Sequence, residues 1–250
     1  MSYSKEGLND LEAERAKLEP ARRSLMLRAG RLSLRSASAQ RILFEGALRR
    51  LKLIHLSTDL IFEHIPPDTN RPPPERLVGL VTLCLHSHFI NVYGFLDCLA
   101  HVWVLEKNIT QDNGKAIPRT KIGFGKKCVW VRASLSKDAL AKLLEFDEWF
   151  EYLEQYRHSL AHRIPIYVPP NFVDPKNTDE YLELNRAWMM ATTKDETMKL
   201  EVRMDAISHF KSLALFDLDE AREIFFHAQI IADLKTIESF ASAIFRALEQ

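Results

Sequence analysis

Apolar residues recur at helical spacing in four long segments of the chain, with proline or polar punctuation between them. The first runs over 38–65, where Ile42, Leu48, Leu51, His55 and Phe62 fall near one face and Pro66-Pro67 ends it. The second, over 75–107, is apolar nearly all round, the pattern of the most buried helix of a bundle. The third begins after Ser136, a residue suited to an N-cap, and stops near Arg163, because Pro165 disfavours the α conformation at Ile164. The fourth opens near Asp217 or Asp219, with Ile224, Ala228, Ile231, Leu234, Phe245 and Leu248 on its buried side. These segments predict an all-α chain, a four-helix up-and-down bundle in one domain over 36–250. Two insertions, 108–136 and 164–216, interrupt it. The second reads as an extended IPIYVPP stretch, a short helix capped by Thr178 and running to about Met190, and another from about Glu196 to Phe210. Residues 1–35 are Arg-rich and lack a steady apolar stripe, which predicts a basic arm, poorly ordered or loosely helical.

Composition adds bounds rather than a partner. The 250 residues carry 34 basic and 34 acidic side chains, so net charge selects no partner, while 46% hydrophobic content suffices for a sizeable core. Cys84, Cys98 and Cys128 form no CxxC pair, which excludes a disulfide framework or zinc module and suits a reducing cytoplasm. The first 40 residues lack an apolar signal segment, so a cytoplasmic location is expected. Residues 78–96 carry no formal charge and are long enough to span a bilayer. His86, Ser87, His88 and Asn91 near their middle point instead to a buried core helix, with no membrane partner.

The third helix ends on the chemistry. On a helical wheel Phe146, Phe150, Leu153, Leu160 and Ile164 form its apolar stripe, and Arg157 falls inside it. A guanidinium at a core position needs a partner. On the second helix His86, Tyr93, Asp97 and His101 follow at steps of seven, four and four, and Asp97 is the candidate for a buried pair with Arg157. His158 and His162 lie four apart on the opposite face, and His162 is in the final turn, where the helix dipole favours imidazolium. Arg157 and His162 stand about 140° apart on an ideal helix, so they do not both face one phosphate unless the last turn loosens before Pro165, the Arg stem bends round or a second subunit completes the site, the last two together being favoured.

Arg157, the polar His158, three more residues and His162, closing a third long helix and followed by Arg163 and IYVPP, resemble the arginine–histidine motif of the HEPN superfamily, in particular a large bacterial branch. The resemblance implies a metal-independent endoribonuclease, without cofactor, acting on RNA as a homodimer in a defence or toxin setting, with an antitoxin or other regulatory partner as a further expectation. It assigns catalysis to Arg157 and His162, with His158 in a position that many members fill with Asn or Asp. Asp97 would support Arg157.

Residues 108–136 hold Lys115, Arg119, Lys121, Lys126, Lys127 and Arg132 against one acid, with Phe124 and Trp130 interleaved. Basic charge beside aromatics suits single-stranded nucleic acid, and Lys121, Lys126, Lys127, Trp130, Arg132 and Arg163 are the candidate RNA contacts. A solvated loop with Trp130 tucked into the bundle fits the same pattern. Two other functional classes stay open. One is a non-catalytic HEPN-like interaction module. The other is a metal-dependent bundle enzyme, with His158 and His162 at ligand spacing and His86 or His101 as a third donor.

Overall fold

Prolines bracket the centre of the fold. In the computed structural model, α1 spans Lys5–Arg31. α2 (Ala37–Arg41) continues through a π-helical segment, Ile42–Ala47, into α3 (Leu48–His64). Pro66 and Pro67 follow α3, and Pro72 to Pro74 lead into α4 (Glu75–Glu106). Then come α5 (Val129–Ala133), α6 (Lys137–Glu145), α7 (Asp147–His162), β1 (Phe172–Val173), α8 (Thr178–Met190), α9 (Lys194–Ala206), β2 (Ser208–His209), β3 (Leu213–Phe216), β4 (Arg222–Phe225) and α10 (Phe226–Glu249). The structure describes residues 2–162, 165–216 and 222–249, without the side chains of residues 159, 161, 162, 216 and 222. About 72% of the described residues are helical, so the fold is mostly α.

α4 is the axis of the packing. It lies against α2, the π segment, α3, α7 and α10. It buries Val81, Leu85, Phe89, Val92, Phe95, Leu99 and Val102 completely. By length and composition alone it is the one helix among the described residues apolar enough to cross a membrane, and here it is the core helix. The π segment brings the chain close to it. A Cβ on Gly46 would meet Cys98 Sγ at 3.0 Å, so a larger residue there requires the Cys98 side chain to give way by a few tenths of an ångström.

The N-terminal stretch departs from the expected loose arm. Ser4 caps α1 by accepting from the Gly7 amide, and Leu11, Leu18, Leu25 and Ala29 are buried. α1 packs along α10. Arg15 stacks over Phe62 at 4.6 Å, and Lys235 pairs with Glu14 at 2.7 Å. The reason for the difference is the width of the stripe. Three leucines seven residues apart make a narrow seam, enough to dock one long helix on another but too sparse to stand out among charged neighbours.

The third predicted helix is two helices. α6 begins at Ser136, which accepts from the Ala139 amide as expected of a cap, but it ends at Glu145. Phe146 leaves helical geometry and α7 starts afresh at Asp147. The last helix also starts later than Asp217 or Asp219, positions that lie outside the described residues. Residues 222–225 pair as a strand, with Leu213 opposite Phe225 and Leu215 opposite Glu223, and α10 opens at Phe226. A second two-residue ladder, Phe172 opposite His209, closes the base of the α8–α9 hairpin.

If α1 is part of the core, removing one of its buried leucines costs real stability. Leu25 is 3% exposed, and a buried Leu→Ala change typically costs about 2–5 kcal/mol. Leu25→Ala should lower the melting temperature by several degrees in a circular-dichroism melt. An unchanged melt would return residues 5–31 to the status of a loose arm.

Candidate functional site

Arg157 is set by the residue before it. Tyr156 is 1% exposed and lies with its ring 4.3 Å from that of Phe89 on α4, at an angle of 34°. With Leu153 also buried and Trp149, Phe150 and Leu160 packed against the core, the seam of α7 runs 149, 153, 156, 160. Arg157 therefore sits at the edge of the seam and is exposed, not inside the apolar stripe. The expected stripe was phased from Phe146, where the helix breaks, and Ile164 lies outside the described residues. The Arg157 guanidinium lies over the Tyr93 ring, 4.8 Å from its centroid. Such a contact is worth about 0.5–1 kcal/mol at an exposed site, enough to bias the side chain's direction.

Asp97 does not form the buried pair expected of it. No ion pair within 4.0 Å joins Asp97 to Arg157 among the described residues, and the carboxylate is only half-buried. Burial pushes its pKa up, against the pull of His101, Arg157 and Arg50, which are near enough to act on it. Arg50 is a residue that helical periodicity did not single out. It crosses Gly94, donates from Nη1 to Asn91 Oδ1 at 3.2 Å, and is near enough to act electrostatically on Cys98. His101 donates from Nδ1 to the Asp97 carbonyl at 2.8 Å, and His86 donates from Nε2 to the Ile166 carbonyl at 2.8 Å. Each of these histidines thus has one ring nitrogen engaged by backbone.

The end of α7 holds the remaining motif residues. His158 is exposed and His162 is the last helical residue. The His162 side chain, and Arg163 altogether, lie outside the described residues. No cluster of three or more metal-binding side chains occurs among the described residues.

The basic insertion is less open than its composition suggests. Phe124 is 2% exposed, with its ring 4.8 Å from Phe240, so it is core and no stacking surface. Trp130 packs partly buried against the same core. Arg132 Nη2 donates to both carboxylate oxygens of Asp147, at 2.9 and 3.0 Å. Lys126 pairs with Glu151 at 2.6 Å. Lys121 and Lys127 are exposed, and Lys121 acts electrostatically on Cys128, a thiol that also feels Asp97 and Glu154. Through-space ion pairs of this kind leave no trace in a linear sequence. Comparison with protein-family models, curated proteins and solved structures returns no match for the chain.

A carboxylate whose pKa is raised in the folded state binds its proton more readily there than in the unfolded chain. Above the ordinary carboxylate range Asp97 therefore opposes folding, and this effect fades as pH falls into that range. Asp97→Asn should not lower the melting temperature at pH 7, and any gain should shrink at pH 4. A drop of many degrees at pH 7 would reinstate a stabilising Arg157–Asp97 pair.

Proposed function

We propose that this chain is a HEPN-type, metal-independent endoribonuclease that acts on single-stranded RNA in the cytoplasm as a homodimer. The observation that carries the reading is Arg157. It stands exposed at the end of α7, steered by Tyr93, with no carboxylate within 4.0 Å among the described residues. A guanidinium held in place and not neutralised is a receptor for a phosphodiester.

In this reading RNA brings its own nucleophile. His162 takes the 2′-OH proton as the 2′ oxygen bonds to phosphorus. The bond from phosphorus to the 5′ oxygen breaks, and that oxygen receives a proton from an imidazolium. Arg157 balances the charge that builds on the non-bridging oxygens. The products are a 2′,3′-cyclic phosphate and a 5′-OH. The angle between Arg157 and His162 on one helix favours a second copy of the motif completing the site. Lys121 and Lys127 are the exposed insertion lysines best suited to hold flanking phosphates.

A second reading has its own support. The α8–α9 hairpin exposes Met189 (67%), Met190 (80%), Met198 (53%) and Val202 (65%). Flexible methionine surfaces of this kind suit a protein partner. An interaction module, or a nuclease restrained by an antitoxin-like regulator, would use that hairpin.

His162→Ala should reduce cleavage of a mixed-sequence single-stranded RNA by ~10²–10⁴-fold, the usual worth of general acid–base catalysis. Cleavage by the wild type should persist in EDTA and leave 2′,3′-cyclic ends. Equal cleavage by both proteins would remove His162 from the reaction. Loss of activity in EDTA would move the assignment to metal chemistry at His158 and His162.

A further inference from the structure

α4 leaves one face uncovered, and its position follows from helical geometry. Tyr93 points towards α7, where Arg157 covers it, while Asn91 points towards α3, where it accepts from Arg50, with Cys98 close beside it around the helix. Asp97 and Gly94 lie between these two sides, about 60° apart around the helix, with Ile90 and His101 between them. Ile90 is 46% exposed, so this strip meets solvent.

Arg50 is held on that strip by design of the backbone. A Cβ on Gly94 would lie 2.5 Å from Arg50 Cζ, 2.6 Å from Nη1 and 2.7 Å from Nε. Any side chain at 94 would displace the guanidinium. Glycine in the middle of a helix is less favourable than alanine, so the sequence gives up helix stability where the arginine needs space. Arg50 has no carboxylate within 4.0 Å among the described residues. Of its five N–H donors, one meets a neutral amide oxygen, that of Asn91.

We propose that Arg50, seated across Gly94, is a second phosphodiester contact, and that RNA crosses the open face of α4 from Arg157 to Arg50. This rests on the ribonuclease reading, and it adds a binding residue on a different helix from the motif. Half-buried Asp97 lies between the two guanidiniums, within electrostatic reach of both and in ion-pair contact with neither among the described residues. The strip then favours a strand whose phosphates reach the flanks rather than its centre.

The test is binding, in a His162→Ala background so that RNA stays intact. A fluorescein-labelled 20-nucleotide single-stranded RNA is titrated and followed by anisotropy at several salt concentrations. Arg50→Gln removes the charge. Gly94→Ala keeps the charge but moves the guanidinium, and alanine is a better helix former at that position. Lys52→Gln, an exposed position on α3, controls for net charge. Circular dichroism verifies folding of each variant. Both Arg50→Gln and Gly94→Ala should weaken binding about tenfold. They should also lessen the slope of log affinity against log salt by ~0.7, one phosphate contact on a single strand. Lys52→Gln should match the parent. Parent-like binding by Gly94→Ala, whatever Arg50→Gln does, overturns the proposal while leaving the ribonuclease reading in place. No RNA binding by the parent overturns both.

Discussion

Asp233 is the point at which three helices are tied together. It is 1% exposed, yet its carboxylate is fully engaged. Oδ1 accepts from Trp149 Nε1 on α7 and from Gln229 Nε2 on its own helix, both at 2.8 Å, and Oδ2 accepts from His88 Nε2 on α4 at 3.1 Å. A buried charge tolerates its site only when its lone pairs are met, and here the donors come from the elements that need fixing. The apolar contacts then follow the same geometry. Phe150 packs on Phe240 of α10 at 5.5 Å, and Tyr156 on Phe89 of α4 at 4.3 Å. Apolar packing alone tolerates rotation and sliding. The one directed bond from α7, Trp149 to a carboxylate that His88 and Gln229 hold in place, selects an azimuth for α7, and that azimuth turns Arg157 outward over Tyr93.

The candidate site is therefore a surface feature built on a buried polar device. α4 supplies both ends of the arrangement. His88 faces inward to Asp233, and Tyr93 and Asp97 face outward beside Arg157. The helix is uncharged through its middle because α3, α7 and α10 cover most of it. What remains uncovered is the strip that carries Gly94, Asp97 and His101, flanked by arginines from two other helices. In the functional reading, chemistry occupies the face of the core helix that packing does not need.

Much of the helical order was legible from elementary signals. α4 was readable to within a residue because it is apolar all round and preceded by prolines, and the span of α8 was readable from Thr178 to Met190, although Thr178 is its first residue and Asn177 stands at the cap position expected of it. The Ser136 cap was readable for the same local reason. What periodicity missed are effects that cross the chain. The break at Phe146 resets the phase of α7, so Arg157 moved from the stripe to its edge and Tyr156 took the core position. Asp233 carried the same signal that drew attention to Arg157, a charge three residues after Ile230 and four before Ile237, but its donors lie on two distant helices. Arg132 and Lys126 were visible as basic residues, and their acids Asp147 and Glu151 were not visible as their partners. Arg50 left a weak trace in Gly94, a glycine inside an otherwise strong helix.

The central claim is that the Asp233 hydrogen bonds fix the pose of α7, and with it the position of Arg157. Hydrogen–deuterium exchange on Asp233→Asn tests it most directly. The substitution keeps the shape, leaves one acceptor oxygen and turns an N–H₂ group towards existing donors. Exchange should accelerate in peptides covering residues 147–162, while those of the α8–α9 hairpin stay at wild-type rates. Unchanged protection across 147–162 in a folded variant would contradict the account, because packing alone would then suffice to hold the helix.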